Sequence, residues 1–456
     1  MTRDGPRTVH EFEEIPLYYY EEGIMHVFAG LEDDLTRALK HCKFKVKVKR
    51  VKPPILEPVL ENLTEEDLDN LDDRADQVEV IGLVCDQPRS FIVEAPTGWG
   101  KSFAIVQIAK ILPDSNIAII APGIEICQTL YDRLRKQINP RQLGMVSGGA
   151  STIGRITVCT MQSMQKLRHV EWDLMLFDEV HRAGGRKTAN DVAEVFNRCK
   201  CVGFSASPEG RGDNADKVVK ALFGPIIYRV EYEDAKNRGA VVPIEVDMYR
   251  ITTGREYSSK YKEKYGLWNN QVRNEFIAKL ISEIPEDEQV LITVATAEHA
   301  LALKALLPEF EVVFKSATSK NAKKMLGDFP DVYKWCRKGK MLKEHVEYLR
   351  RQFEQNKVKR AIATQVWSTG VDFVHLRYLI RAEGTASKIQ ATQVPGRLSR
   401  TSEGKTQGKM IDFIDEFDST LMGRSQSRKR LYQKKKWNVN VLSHPDVTIP
   451  RFKEQQ

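Results

Sequence analysis

One short loop combines the residue types that bind phosphate. The loop is Ala95–Ser102, and it follows an apolar run that ends at Val93 and opens a helix-compatible stretch that ends at Leu112. Backbone amides of such a loop, with the positive end of the helix, can surround nucleotide phosphates. Lys101 would contact the β- and γ-phosphates and Ser102 would bind Mg²⁺. The pattern is that of a P-loop in which Ala95 replaces the first glycine. The residues expected to line the nucleotide are Thr97, Gly98, Trp99, Gly100, Lys101 and Ser102.

Two adjacent acids provide the chemistry that this loop lacks. Asp178 and Glu179 follow the apolar run Leu174–Phe177. In a P-loop enzyme a carboxylate at this point binds Mg²⁺ through water, and a second carboxylate can orient and deprotonate the attacking water. We assign the first role to Asp178 and the second to Glu179. The loop and the acids together predict an ATPase with ATP and Mg²⁺ as its ligands, and they leave its task open.

A later motif, rich in arginine, restricts the kind of ATPase that the chain can be. The run Gln393–Arg400 lies in a later part of the chain that has no P-loop of its own. Arg397 and Arg400 are three residues apart and so share one side of a helical turn. Such arginines can act as arginine fingers on a nucleotide held elsewhere, and a finger contributes about 10³–10⁵ in rate. The alternative is a pair of surface arginines.

Short apolar runs alternate with helical stretches, which is typical of parallel sheets in α/β domains. Residues 17–52 differ and predict a hairpin, a helix over 32–41 and a strand over 43–52. In that strand the lysines would face one side, as a protected sheet edge or as a nucleic-acid contact. The predicted α/β strands are 90–93, 117–120, 156–159, 174–177 and 202–204, and then 290–294, 311–314, 360–363 and 410–413.

Composition restricts the class of protein. The 456 residues carry a formal charge of +8 with a mean hydropathy of −0.41, which is typical of a globular protein and excludes collagen-like and disordered classes. No apolar run is long enough to span a bilayer, so we expect an intracellular protein without a membrane partner. Seven cysteines without a C-x-x-C pair argue against a disulfide framework and a structural zinc site.

Charge is unevenly distributed along the chain. The segment 61–76 has eight acids and one base, and with Pro53 and Pro54 it predicts a linker. The segment 424–436 has seven bases and no acid, and 315–360 has fourteen bases and five acids. We interpret the C-terminal cluster, including Arg428–Arg430, as a phosphate contact. For 315–360 two interpretations stay open: a duplex-engaging or strand-separating insertion, or a solvated helical decoration.

In order and spacing, these motifs resemble those of superfamily 2 helicases and translocases from about Leu71 to Trp437. The resemblance implies two tandem RecA-like parallel-sheet domains preceded by a small N-terminal α+β domain. The predicted ranges are 1–70 for the N-terminal domain, 71–245 for the first RecA-like domain, 246–285 for a linker, 286–423 for the second RecA-like domain and 424–456 for a basic tail. The matching segments are 74–77, 95–102, 121–123, 178–181, 205–207, 363–372 and 393–400.

The resemblance also implies roles for single residues. Gln77 would contact adenine, and Gly370 and Asp372 would lie beside the nucleotide. His181, Ser205 and Ser207 would couple hydrolysis to movement, and Gln393 would act with Arg397 and Arg400 in catalysis. The residues expected at the nucleic-acid backbone are Pro122, Gly123, Thr160 and Thr364.

Within the superfamily the motifs look most like those of phage-encoded DNA repair and recombination helicases. This implies a DNA helicase or translocase acting on branched or partly single-stranded DNA, in the cytoplasm of a host cell if the chain is phage-encoded. Two alternatives stay open: an RNA helicase, since backbone contacts do not identify the sugar, and an ATP-gated clamp or annealing protein that does not unwind. We expect DNA rather than RNA as partner, and the motifs leave open whether the protein has protein partners.

Overall fold

The structure is a computed structural model. It describes residues 17–22, 24–50, 54–72, 74–96, 98–206, 208, 215–239, 241–367, 373–385 and 395–448. These residues divide into two compact units. Unit 1 contains the residues up to Ala95 together with Gly100–Val230, and unit 2 contains Pro96–Trp99 and the residues from Glu231 onward.

The N-terminal segment forms a hairpin and a helix, as predicted, but not the predicted third strand. Its elements are β1 Tyr18–Glu21, β2 Ile24–Val27 and α1 Glu32–His41. The predicted strand over 43–52 is wrong for the described residues 44–50, which have no regular structure. Two of the alternating apolar side chains have little surface to pack on, since Phe44 is 64% and Val48 44% exposed. Period-two alternation becomes a strand only where a neighbour accepts its hydrogen bonds.

The acidic segment is packed rather than being a linker. It contains α2 Glu65–Asp72, followed by α3 Ala75–Asp86. Buried Leu56 and Leu71 anchor it, and Asp67 accepts a hydrogen bond from Gln107 at 3.1 Å and pairs with Lys110. The predicted linker is therefore wrong here, because one acid of the run has a specific cationic partner on the helix that follows the P-loop.

Unit 1 contains one eight-stranded sheet. From residue 91 its elements are β3 Phe91–Glu94, α4 Lys101–Ile111, β4 Ile117–Ala121, α5 Ile124–Gln137, β5 Leu143–Ser147, β6 Ala150–Thr152, β7 Ile156–Thr160, β8 Leu174–Asp178, α6 Arg186–Val195, β9 Lys200–Ser205, α7 Ala215–Phe223 and β10 Ile226–Arg229. The strand order is β10-β3-β9-β8-β4-β7-β5-β6, and every pairing except β5 with β6 is parallel. All five strands predicted for this part are confirmed, while β5, β6 and β10 were not predicted.

Unit 2 contains a seven-stranded parallel sheet. Its elements are α8 Tyr232–Asn237, β11 Ile244–Ile251, α9 Gln271–Ser282, β12 Val290–Thr293, α10 Ala297–Leu306, β13 Glu311–Val313, α11 Lys320–Leu326, α12 Pro330–Tyr333, β14 Cys336–Arg337, β15 Lys340–Met341, α13 Lys343–Glu354, β16 Arg360–Ala363, β17 Tyr378–Arg381, β18 Gly408–Asp415, α14 Ser419–Lys434 and β19 Asn438–Ser443. The order is β13-β16-β12-β17-β18-β11-β19. The four strands predicted here are confirmed.

Two predicted boundary segments of this half of the chain are wrong. The predicted linker 246–285 contains most of β11, which lies between β18 and β19 in the sheet, and all of α9. The predicted tail 424–456 contains most of α14 and all of β19. In both segments the charge pattern does not indicate the helices and strands. The buried faces of these elements are small, and their charged side chains have partners inside the unit.

The basic segment 315–360 is built into unit 2. It contains α11, α12, the β14–β15 hairpin and α13, and all three helices contribute buried side chains to the core of the unit. Leu326, Val332, Leu349 and Phe353 are the clearest examples, each at most 5% exposed. The helices therefore belong to the packed core of unit 2, where α13 contacts β13 at the edge of the sheet and α11 contacts α10 and α12.

Candidate nucleotide and nucleic-acid site

The carboxyl edge of the unit 1 sheet brings the predicted site residues together. Glu94, Ser205 and Asp178 end three neighbouring strands, where Glu94 pairs with Ser205 and Asp178 with Phe204. On the next strands, Ala121 pairs with Thr160. Ligands of open α/β sheets bind at this edge. In unit 1, the predicted nucleotide residues and the expected nucleic-acid residues Pro122, Gly123 and Thr160 therefore lie at the strand ends of one sheet.

The P-loop has the backbone that phosphate binding requires. Gly98 and Gly100 have φ values of 98° and 100°, in the left-handed region that favours glycine. Ala95 is not among the described residues with positive φ, which explains why alanine is tolerated where a P-loop usually has glycine. Lys101 Nζ donates to the Ala95 carbonyl oxygen at 3.2 Å, so the ammonium group lies within the loop.

Asp178 has the surroundings of a cation ligand. It is 6% exposed, and among the described residues its Oδ1 has no hydrogen-bond partner. Burial, together with the neighbouring Glu179 carboxylate, raises the pKa of Asp178 to about 7, while Lys101 acts in the opposite direction. A buried carboxylate is stabilised by a nearby cation, and the Ser102 hydroxyl lies at the start of α4. These two oxygen ligands suit Mg²⁺. This cation typically takes one or two protein ligands and completes its shell with water and phosphate.

A buried histidine links the acids to the end of β9. His181 Nδ1 lies 2.9 Å from Ser205 Oγ and 3.3 Å from Glu179 Oε2. Glu179 has a left-handed backbone, with φ of 57°, at the turn between β8 and the helical turn Val180–Gly184. The backbone N–H of Ala95 in turn donates to the Ser205 carbonyl at 3.0 Å. His181 and Ser205, predicted to couple hydrolysis to movement, are thus in contact.

Gln77 lies beside the P-loop. It is 2% exposed, and a Cβ added to Gly100 would lie 2.5 Å from its Nε2. Arg74, for which no role was predicted, has its guanidinium 4.8 Å from the centre of the Phe103 ring and close to Gly100. Its position three residues before Gln77 is the only signal that could have indicated this.

The expected nucleic-acid residues occupy sheet edges in both units. In unit 1, Pro122 and Gly123 lie between β4 and α5, and the Thr160 hydroxyl contacts Ser163 Oγ at 3.1 Å. In unit 2, Thr364 follows β16, and its N–H donates to the Val313 carbonyl at 3.0 Å. Each therefore occupies the carboxyl end of a strand of its own sheet.

Arg397 is held by its own unit. It lies in the helical turn Pro395–Ser399, is 6% exposed and donates through Nη1 to the Trp367 carbonyl. The Arg400 N–H donates to the Arg397 carbonyl at 3.2 Å. Unit 2 thus ties this turn to the segment after Thr364. Thr97, Ser207, Gly370, Asp372 and Gln393 lie outside the described residues.

The basic C-terminal cluster is only partly available to phosphate. Arg428 is 2% exposed and pairs with Asp412 at 2.8 Å, so its predicted contact with phosphate is wrong. Arg430 is exposed.

Trp99 is buried, at 2% exposure. Among the described residues, no helix combines the length and apolarity needed to cross a membrane.

Comparison with known proteins finds similarity to one family model and to several helicases and translocases. The family model for the type III restriction enzyme res subunit matches residues 55–210, which contain the P-loop, the acid pair and Ser205. At 23% identity, the chain also matches helicase 22 of a Sulfolobus islandicus filamentous virus over 77% of this chain, and it spans 65% of that protein's length.

Two further relatives are also 23% identical. The DNA 3'-5' translocase XPB2 of Sulfurisphaera tokodaii matches 74% of this chain and 80% of its own length. The ATP-dependent DNA helicase uvsW of Enterobacteria phage T4 matches 81% and 72%. Among solved structures, S. cerevisiae Dbp5 bound to RNA and ADP BeF3 superposes with a TM-score of 0.56, at 16% identity, over 86% of this chain and 96% of that one.

Fold and site together define a nucleotide-binding protein with two tandem RecA-like domains, each a parallel or mainly parallel sheet with helices. In its motifs and in the relatives it matches, the chain is similar to superfamily 2, the ATP-dependent helicases and translocases.

Proposed function

We propose that this protein is an ATP-dependent motor that moves on or remodels branched or partly single-stranded DNA inside the cell. The observation that carries the proposal is the shared carboxyl edge of the unit 1 sheet. There Asp178, Ser205 and the P-loop adjoin the strand ends that carry Pro122 and Thr160. A change at the nucleotide can therefore reach the nucleic-acid residues through neighbouring strands.

The residues divide the hydrolysis reaction among them. The P-loop amides and Lys101 would hold the phosphates, while Mg²⁺ bound near Ser102 and Asp178 would neutralise charge on the phosphate oxygens. Glu179 would accept the proton of the attacking water. We expect Arg397 and Arg400 to stabilise charge that develops on the transferred phosphate, and Gln77 to contact the adenine base.

Preference for DNA over RNA is part of the proposal. The relatives from phage T4 and Sulfurisphaera tokodaii are named for action on DNA, whereas Dbp5 is an RNA-bound protein whose likeness concerns the fold. An RNA helicase is therefore the second candidate. RNA-specific binding needs contacts to the 2′-hydroxyl, and DNA binding does not.

Steady-state ATP hydrolysis tests the proposal directly. We expect single-stranded and forked DNA to stimulate turnover at least tenfold more than RNA, and Lys101→Ala to abolish it. Arg397→Ala should retain ATP binding and lose about 10³-fold in turnover, the contribution of an arginine finger. Equal stimulation by DNA and RNA would contradict the DNA preference. If no polymer changes the rate of ATP hydrolysis, the proposed motor function is contradicted. A strand-displacement assay would distinguish a motor that unwinds DNA from a clamp that only binds it.

A further inference from the structure

An exposed aromatic stack lies in the basic segment of unit 2. The rings of Trp335 and His345 are parallel, with centroids 4.2 Å apart and an interplanar angle of 8°. His345 and Tyr348 continue the stack at 6.1 Å and 20°. Trp335 and Tyr348 remain 40% and 56% exposed. Large aromatic side chains usually bury most of their surface, so a stack left in solvent indicates a binding surface.

The stack is held on a rigid support. Trp335 precedes β14 and His345 lies in α13, and the Leu342 N–H donates to the Trp335 carbonyl at 2.9 Å. The Ala317 N–H donates to the Gly339 carbonyl at 2.7 Å, which ties the hairpin to the chain after β13. Val332 and Met341 beneath it are buried in the core of unit 2. The rings are therefore presented in a fixed orientation.

Cations lie close to the stack along the chain, and Lys334 Nζ lies 5.5 Å from the centre of the Trp335 ring. Residues 333–348 contain five Lys or Arg against two acids. Glu347 is bound to Arg350 and Arg351 on the next turn of α13, so it does not offset these cations. Burial and the charge of Lys334 lower the pKa of His345, so its ring is neutral near pH 7 and is suited to stacking. The cations of this group, all exposed, are Lys334, Arg337, Lys338, Lys340 and Lys343.

We propose that Trp335, His345 and Tyr348 form a stacking platform for unpaired bases of a single DNA strand, with the nearby cations contacting its phosphates. Proteins that bind single strands combine these two features, because every base has an aromatic face and every nucleotide has a phosphate. The inference rests on the proposed function and adds to it a nucleic-acid site outside the segments that resemble superfamily 2 motifs. Duplex DNA has no free base faces and would gain only the electrostatic contacts.

The test uses the full chain with Trp335 and Tyr348 both replaced by Ala. We expect binding of a labelled single-stranded oligonucleotide to weaken on the order of tenfold or more, since each stacked base contributes a measurable part of the affinity. Binding of a blunt duplex should change less than twofold. An oligonucleotide with abasic sites should bind wild type and the variant equally, because it has no bases to stack.

Two control pairs keep the outcome interpretable. Phe at both positions keeps the rings and should restore binding, while Leu at both positions keeps the apolar surface and should not. Equal losses on single strand, duplex and abasic DNA would overturn the inference, as would wild-type binding by the Ala variant. If the double Ala variant loses single-strand binding and the double Leu variant restores it, the contact is apolar and needs no aromatic ring. That result would also overturn the inference.

Failure of this inference is distinguishable from failure of the proposed function. Polymer-stimulated ATP hydrolysis of wild type is measured in the same preparations. If DNA stimulates ATP hydrolysis and the double Ala variant binds DNA like wild type, the stacking platform is refuted and the proposed motor function is retained. If no polymer stimulates turnover, the proposed function fails whatever the aromatic variants do.

Discussion

His181 shows how one buried side chain can connect two motifs that are far apart in the chain. Its ring contacts Glu179, which we expect to activate water, and Ser205, which ends the neighbouring strand. Ser205 also accepts a hydrogen bond from the P-loop backbone at Ala95. A shift of Glu179 during the reaction would therefore change the position of Ser205 at the end of β9, because His181 contacts both side chains.

Ser205→Ala tests that connection. Removing the hydroxyl deletes a buried hydrogen bond of about 1 kcal/mol, and the His181 ring loses a contact that fixes its position. We expect the KM for ATP to change less than threefold, while the number of ATP molecules hydrolysed per base pair displaced rises several-fold. The measurement is ATP turnover beside strand displacement on one forked substrate.

Ser90→Ala is a matched control, because the Ser90 hydroxyl accepts a hydrogen bond from the Cys201 N–H near the other end of β9. It should leave the ratio of hydrolysis to displacement unchanged. Proportional loss of both activities in the Ser205 variant would mean that the hydroxyl supports folding or hydrolysis and has no part in coupling.

Single residues of the site were the most predictable feature of this chain. The P-loop, Asp178 and Gln77 are local patterns, and the structure places each at or beside the carboxyl edge of the unit 1 sheet, while their roles stay predictions. Arg428 could not be predicted, since a lysine- and arginine-rich run does not reveal which member turns inward to meet Asp412. Burial is a property of the tertiary structure and has no local signature.

Elements were predictable where their apolar runs are continuous. β4 and β8, buried on both faces, are uniform apolar strings, whereas β10 alternates between half-buried and exposed positions and was missed. Helix α2 was also missed because its acids suggested solvent. Asp67 on that helix is instead 5% exposed. Charge pattern thus failed wherever a single acid or base has a partner inside the unit.

Asp67 fastens α2 to α4, the helix that follows the P-loop. Burial alone would raise the pKa of Asp67, but hydrogen bonds from Lys110, Thr64 and Gln107 lower it to about 2. A carboxylate whose folded pKa lies below its unfolded value stabilises the fold above about pH 4, and this contribution is lost as the pH falls through about 2. We expect Asp67→Asn to lose about 2 kcal/mol at pH 7.

Thermal unfolding at several pH values measures this effect. The difference in Tm between wild type and Asp67→Asn should be largest near pH 7 and should shrink from pH 4 downward. Asp69→Asn changes an exposed acid of the same helix and should leave Tm almost unchanged. A difference that is independent of pH would show that the ionised Asp67 is not what holds α2.

At the scale of the whole molecule, unit 2 is completed by the last elements of the chain. β11 lies between β18 and β19, so the sheet joins the start of the unit to its end. α14 packs on this sheet through Arg428 and Tyr432, whose hydroxyl donates to Asp412 at 2.7 Å. Arg381, near the end of β17, donates to the same hydroxyl. The segment expected to be a tail therefore helps to build the domain.

Arg428→Ala tests whether the C-terminal elements are part of the fold. Burial alone would raise the pKa of Asp412, and Arg428 and Arg381 hold it below its usual value. Removing Arg428 leaves a buried carboxylate with weaker compensation, which costs about 3 kcal/mol. We expect a lower urea midpoint and faster amide exchange in β11, β18 and β19. Arg430→Ala, an exposed change on the same helix, should alter neither. Wild-type exchange in the Arg428 variant would mean that α14 and β19 are an appendage and that unit 2 folds without them.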